Sequence, residues 1–191
     1  MAGNANRVAL GYGKAYIAAY SSSSLEALPA DTVQRDGSWG GNWVDLGYTG
    51  GVQVNFSNEF RHVEVDQSTI EIKSAVVKQD ALIELTLKET SVENLKYALG
   101  FGTLSTSGSS GVLSMAHNPT LSEYTLGLEG PSPSATVGDA CRISLYRCVP
   151  VSEPELAFSR EEETVCVVRF KPLLHSTSSI GIVRNYRTTG A

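Results

Sequence analysis

The chain has no stretch near the roughly 20 consecutive apolar residues that a membrane-spanning helix requires. Its first 20 residues hold no apolar run of secretory-signal length, because Gly11, Gly13 and Lys14 interrupt them. Cysteine is scarce and odd in number, Cys141, Cys148 and Cys166, which predicts reduced thiols made in a cytoplasm. Cys141 and Cys148 lie on one β-patterned segment, about 23 Å apart if it is extended, far beyond disulfide reach. Basic charge is not in excess: the net charge is −5, against the basic face of a dedicated nucleic-acid binder. Charged residues make up only 18% of the chain, while 18 glycines and many Ser and Thr point to a β-rich protein with long loops. With 191 residues the chain suits one domain, spanning 1–191, with enough core to need no staples.

Catalytic patterns are missing too. His62, His117 and His175 are far apart and have no Cys or carboxylate at metal-ligand spacing. No nucleophile elbow, phosphate loop or zinc-protease helix motif is found, and Gly11-Tyr12-Gly13 is too short for a nucleotide loop. Gly108-Ser109-Ser110-Gly111 has no following Lys and reads as loop. Neither an enzyme, a metal nor a cofactor is expected.

What is present is alternation, concentrated between Val52 and Gly100. Val52, Val54 and Phe56 alternate with Gln53 and Asn55; Val63 and Val65 with Glu64 and Asp66; Ile70 and Ile72 with Glu71 and Lys73. Ile83, Leu85 and Leu87 alternate with Glu84, Thr86 and Lys88, after a polar turn expected at Lys78-Gln79-Asp80. The pattern then becomes helical. Thr90 is the expected cap, Glu93 its capping-box partner, Val92, Leu95 and Leu99 the apolar stripe, and Gly100 the stop. So short a helix must lie on the sheet.

Outside that stretch, residues 7–18 read as a first strand, and 122–129, 141–151, 161–170 and 180–183 as later ones. Residues 20–51 form a long aperiodic loop carrying Trp39, Trp43 and Tyr48. Two readings stand: the tryptophans cap the core of their own subunit, or the trio anchors a neighbouring subunit. Residues 101–120 read as a flexible Gly/Ser-rich loop, without a charge between Lys96 and Glu123. After Glu163 come Arg169, Lys171, Arg184 and Arg187 with no acid, either a solvated basic tail or one that docks on an acidic patch.

From Trp43 to Gly100 the chain resembles the major tail tube proteins of long-tailed, siphovirus-like bacteriophages. The resemblance rests on the order Trp43-Val44-Asp45-Leu46-Gly47-Tyr48-Thr49-Gly50-Gly51-Val52, then Glu59, Val63-x-Val65-Asp66-Gln67, Ile83-x-Leu85-x-Leu87, Lys88-Glu89-Thr90 and Val92-Glu93-Asn94-Leu95. It implies a mainly β fold with one short flanking helix, a two-sheet sandwich that completes a β-barrel on ring formation. It further implies stacked hexameric rings forming a conduit for DNA ejection, with the 20–51 loop bridging rings and the helix on the outer wall. Implied partners are further copies of the chain, tape-measure and tail-completion proteins, and DNA passing without specific binding. The place is the virion tail, assembled in the host cytoplasm. Between Val52 and Gly100 eight acids face five bases, so a mildly repulsive lumen is expected, lined by Gln53, Asn55, Glu64, Asp66, Glu71, Lys73, Glu84, Thr86 and Lys88. The competing readings are a tail-completion or terminator ring protein, another tube-like ring protein, and a monomeric β-sandwich binding module.

Overall fold

The computed structural model describes residues 13–30, 32–65, 68–107, 110–115, 120–132, 140–151, 164–175 and 179–186; the side chains of 63–65, 68–74, 106–107, 110 and 185–186 also lie outside the description. The chain is mainly β with one helix and two sheets. Strands β1 (Lys14–Ala19), β2 (Val44–Asp45), β3 (Thr49–Val65) and β4 (Ser68–Leu87) precede helix α1 (Val92–Leu99). After it come β5 (Thr103–Ser107), β6 (Ser110–Ser114), β7 (Tyr124–Pro131), β8 (Ala140–Pro150), β9 (Cys166–Pro172) and β10 (Gly181–Tyr186).

The large sheet runs β2-β1-β7-β8-β9-β4-β3, every pair antiparallel, with β10 also on β8. It folds over at β8. The first half of that strand pairs with β7 and β10 through Ala140–Leu145, whereas its end pairs with β9 through Cys148–Pro150. Two layers result, β2-β1-β7-β8-β10 and β9-β4-β3. Alternating side chains of both meet between them: Ala15, Ile17, Leu126, Leu128 and Leu145 against Ile83, Leu85, Leu87, Val168 and Phe170. At roughly 25 cal/mol per Å² of apolar surface removed from water, this shared face is the main source of stability. The layers also meet beside β1, where Thr49 Oγ1 donates to the Gly13 carbonyl at 2.6 Å and Leu46 N–H to the Ala15 carbonyl at 3.0 Å.

Helix α1 closes the core. Its cap is Ser91 rather than Thr90: the Ser91 hydroxyl accepts from Asn94 N–H at 3.1 Å. Both residue types can cap, and a one-residue offset is within the usual boundary uncertainty. The residue three positions on is then Asn94, not Glu93. Its amide instead donates to the Leu46 and Glu89 carbonyls at 3.0 and 2.8 Å, tying the helix to the loop before β3. Buried on the helix are Asn94 and Ala98, with Tyr97 packed on the core, while Val92, Leu95 and Leu99 are half-buried. Because Val92 lies opposite Gly111 of β6, the small β5–β6 sheet covers a second helix face and divides the apolar stripe. Gly100 stops the helix in the left-handed region (φ 74°), as expected. Ser91→Ala should cost about 1 kcal/mol by loss of the cap, and Thr90→Ala almost nothing. Thermal melts of the two variants separate the assignments.

Two further expectations are corrected. Lys78-Gln79-Asp80 is no turn but the middle of β4, because β3 and β4 run on as a long hairpin, paired from Thr49↔Leu87 to Val65↔Ser68. The 101–120 stretch contains the antiparallel β5–β6 pair, whose Leu104↔Leu113 cross-strand contact is hidden in sequence by the surrounding Ser, Thr and Gly. His117, Gly108 and Ser109 lie outside the described residues, as do 7–12 of the predicted first strand and 161–163 of the predicted late one.

Candidate functional site

The 20–48 segment folds back on its own subunit. Trp39 and Trp43 are 5% and 8% exposed, and together with Tyr16, Ala18 and Leu28 they form a second apolar cluster on the outer face of β1. Trp39 stacks on Tyr16 at 4.1 Å and meets Trp43 edge-on at 5.2 Å. Trp43 Nε1 donates to the Ala27 carbonyl at 2.9 Å, and Glu26 accepts from the Asn42 backbone and side chain at 3.0 Å each. The two indoles therefore spend their surface inside the subunit, the first of the two readings above. Only Tyr48 of that trio presents itself outward, at 78% exposure.

Beneath this strap lies an ion pair that the alternation pattern concealed. Arg142 of β8 and Glu129 of β7 are 0% and 3% exposed, with Arg142 Nε 2.8 Å from Glu129 Oε1. Arg142 Nη2 donates to the Val33 carbonyl at 2.7 Å, Asp36 N–H donates to Glu129 Oε2 at 3.0 Å, and the guanidinium stands 5.7 Å over the Trp39 ring. Burial, then the nearby Glu129 carboxylate, raises the Tyr16 phenol well above its usual range. No local sequence signal marks Arg142 and Glu129, since their partners on the strap are 108 to 112 residues away in one case and 93 in the other.

The wet face of the β9-β4-β3 layer is left open. Gln53, Glu84 and Arg169 stand side by side across the three strands, and Gly51, Thr86 and Val167 form the next row. Gln53 and Asn55 are exposed and joined by a 3.2 Å amide hydrogen bond. Lys88 is exposed beside Gly50 and Thr86. The structure thus brings Gln53, Asn55, Glu84, Thr86 and Lys88 onto one face. Asp66 and the side chains of Glu64, Glu71 and Lys73 lie outside the described residues.

Alternation in β3 and β4 could not reveal that β9 supplies cations to this face. Arg169 Nε donates to Glu84 at 2.7 Å and Lys171 Nζ to Asp80 at 3.1 Å. The Lys171 hydrogen bond holds the Asp80 carboxyl below the usual carboxylate range. The pairs also account for two of the bases that the sequence grouped as a tail. On the described part of this face Glu59, Asp80 and Glu84 stand with Arg61, Lys78, Lys88, Arg169 and Lys171, three acids to five bases. Among the described residues the acidic excess of the Val52–Gly100 stretch does not gather here, because Glu89 turns to Tyr48 N–H at 3.1 Å and Glu93 lies on the helix.

Beyond Ser57 and Asp80 the β3–β4 hairpin projects as an arm, about 25 Å long at 3.4 Å per residue. Phe56, Phe60 and Val76 continue the apolar row of Val52 and Val54, but the opposite layer has ended, and all three are exposed. Val77, displaced by a bulge between Glu59 and Phe60, is exposed as well. Among the described residues the outer edge of β3 has no strand partner in the sheet. Such an edge is a template for another chain.

Chemistry has no comparable site. Among the described residues no group of three His, Cys, Asp or Glu is placed to hold a metal. All three cysteines are free, and burial pushes the Cys148 thiol up to about 12. His62 is exposed on the arm, and His175 accepts from or donates to the Tyr20 hydroxyl at 3.1 Å. No helix among the described residues is long and apolar enough to cross a membrane.

Comparison with known proteins identifies the family. A family model described as phage tail tube protein matches residues 1–137, well over half of the chain. No curated protein matches the sequence. With that match and this β architecture, the chain belongs to the phage tail tube proteins, structural components of the virion tail that self-assemble into the tube.

Proposed function

We propose that the chain folds as one unit and polymerises as stacked hexameric rings, forming the conduit through which DNA is ejected. Tape-measure and tail-completion proteins are its other partners, and assembly takes place in the host cytoplasm. The observation that carries this reading is the contrast between the two layers. The strap seals the outer face of β1, whereas the β9-β4-β3 face is open, polar, and bounded by a β3 edge that has no strand partner among the described residues. Edge-to-edge closure of that layer around a ring removes the exposed edges and makes its wet face a lumen wall.

In this reading Gln53, Asn55, Glu84, Thr86 and Lys88 line the lumen, as do Glu64, Asp66, Glu71 and Lys73 farther along the hairpin. The wall acts on DNA by compensation. Protein cations bind a phosphate backbone by releasing its condensed counterions, but Arg169 and Lys171 already hold Glu84 and Asp80. Tyr48 faces a neighbour. The ring-to-ring contact falls to the β3–β4 arm, since residues 20–48 are folded onto their own sheet. Negative-stain microscopy of the purified protein with its tail-assembly partners tests the reading. Long uniform tubes are expected; growth that stops at single rings would instead mark a completion protein.

A further inference from the structure

Ser144 of β8 is 1% exposed, and its hydroxyl has no hydrogen-bond partner among the described residues. The sheet register explains why. Its cross-strand neighbours are Gly127 on β7 and Ile182 on β10, and neither brings a polar side chain. Buried polar groups are nearly always bonded, so this one calls for a partner from outside the fold. Ser144 lines a cavity of about 280 Å³ between strap residues 25–28 and β10. Leu25, Ile182 and Tyr146 give the cavity apolar walls, and Glu26 and Arg184 add one charge of each sign. Two of these groups are held in place. Glu26 accepts from the Asn42 backbone and side chain at 3.0 Å each, and the Tyr146 ring meets His175 edge-on at 5.6 Å.

We infer that this cavity is a binding site for one sugar ring, a neutral ligand that carries hydroxyls around an apolar body. Small-molecule sites combine mainly apolar walls with a few fixed polar groups, in volumes from about 300 Å³ upward. At water's share of about 30 Å³, a space of about 280 Å³ holds about nine waters, so one bridging water does not account for it. The charges decide the ligand class. An ion of either sign meets one like charge, Glu26 or Arg184, whereas a hydroxyl donates to the carboxylate and accepts from the guanidinium. The Ser144 hydroxyl can donate or accept, and a purely apolar ligand would leave it unbonded. The site is separate from the tube reading. It lies within one subunit, on the strap side of β8, while Leu145 on the other side of that strand packs toward the β9-β4-β3 layer.

Saturation-transfer NMR of the full chain tests this, because it reads the ligand's signals whether the protein is single or assembled. The probes are glucose and N-acetylglucosamine, with acetate, choline and glycerol as an anion, a cation and an open-chain polyol. At least one sugar should give saturable transfer in the millimolar range, and the three controls should give none. Ser144→Ala should weaken that sugar about tenfold, the worth of one hydrogen bond. Its melting temperature should stay unchanged or rise, since only an unbonded hydroxyl is removed. Ile182→Trp fills the cavity and should abolish transfer, with folding checked by circular dichroism; where that variant does not fold, Ser144→Ala decides alone. Absence of saturable transfer from both sugars, equal transfer from a control, or unchanged transfer in Ser144→Ala overturns the site. So does a clear loss of stability in Ser144→Ala, which would show the hydroxyl already bonded within the fold. None of these results bears on tube formation, which the microscopy above tests by itself.

Discussion

Replacing Arg142 with alanine is expected to remove about 3–5 kcal/mol of folding stability, a large share of what a domain of this size has. The size of the loss comes from what stays behind. Glu129, 3% exposed, would lose its buried ion-pair partner and retain the hydrogen bond from Asp36 N–H. The carbonyls of Ala30, Val33 and Gln34 would lose the guanidinium that gathers them. Removing both charges together, as Arg142→Met with Glu129→Leu, should cost less than either single change, because no uncompensated ion is left in the core. Urea unfolding followed by circular dichroism measures all of these. A loss below about 1 kcal/mol, the range of an exposed surface pair, would show that the pair is not buried as described.

The second large effect is expected at Trp39. Trp39→Ala should destabilise the isolated subunit by about 3–5 kcal/mol, because the ring is stacked on Tyr16 and pressed against β7. The closeness of that packing is visible at Gly127, where a Cβ would stand 2.3 Å from Trp39 Cζ3. Gly127→Ala should therefore cost about 1–3 kcal/mol by overpacking, and less once Trp39 is already alanine, when Trp43 Cζ3 at 3.1 Å is the contact that remains. Unfolding curves of the two single variants and the double variant give the coupling directly. If Trp39 acted chiefly as an anchor on a neighbour, its replacement would leave the subunit's stability nearly unchanged and weaken assembly instead.

The sheet was legible where one face is wet and the other packed. Val52, Val54, Ile83, Leu85 and Leu87 show the period of two because water and core select oppositely along those segments. Farther out, at 58–62 and 75–79, the arm is exposed on both faces, and alternation stops being informative there. Lys78-Gln79-Asp80 there mimics a turn, although it is continuous strand. The β5–β6 pair failed for a related reason: only Leu104, Val112 and Leu113 stand out from a Ser, Thr and Gly background.

The face now proposed as lumen was half legible. Its β3 and β4 members follow from local alternation, whereas Arg169 and Lys171 reach it through a pairing between strands 85 and 91 residues apart. That pairing adds to the electrostatic argument two cations, which hold Glu84 and Asp80 on the wall itself. The Arg142–Glu129 pair was illegible for the same physical reason. A charge on an alternating strand reads as solvated unless the covering segment is known, and here the cover is the strap.

The central claim is that the β9-β4-β3 layer forms the inner wall of a tube. Cryo-electron microscopy of assembled tubes tests it most directly. Gln53, Asn55, Glu84 and Thr86 should project into the lumen, with Arg169 beside Glu84 and the Trp39 strap on the far side of the subunit. Finding those four side chains on the outer surface of the tube, or the strap lining the channel, would contradict it.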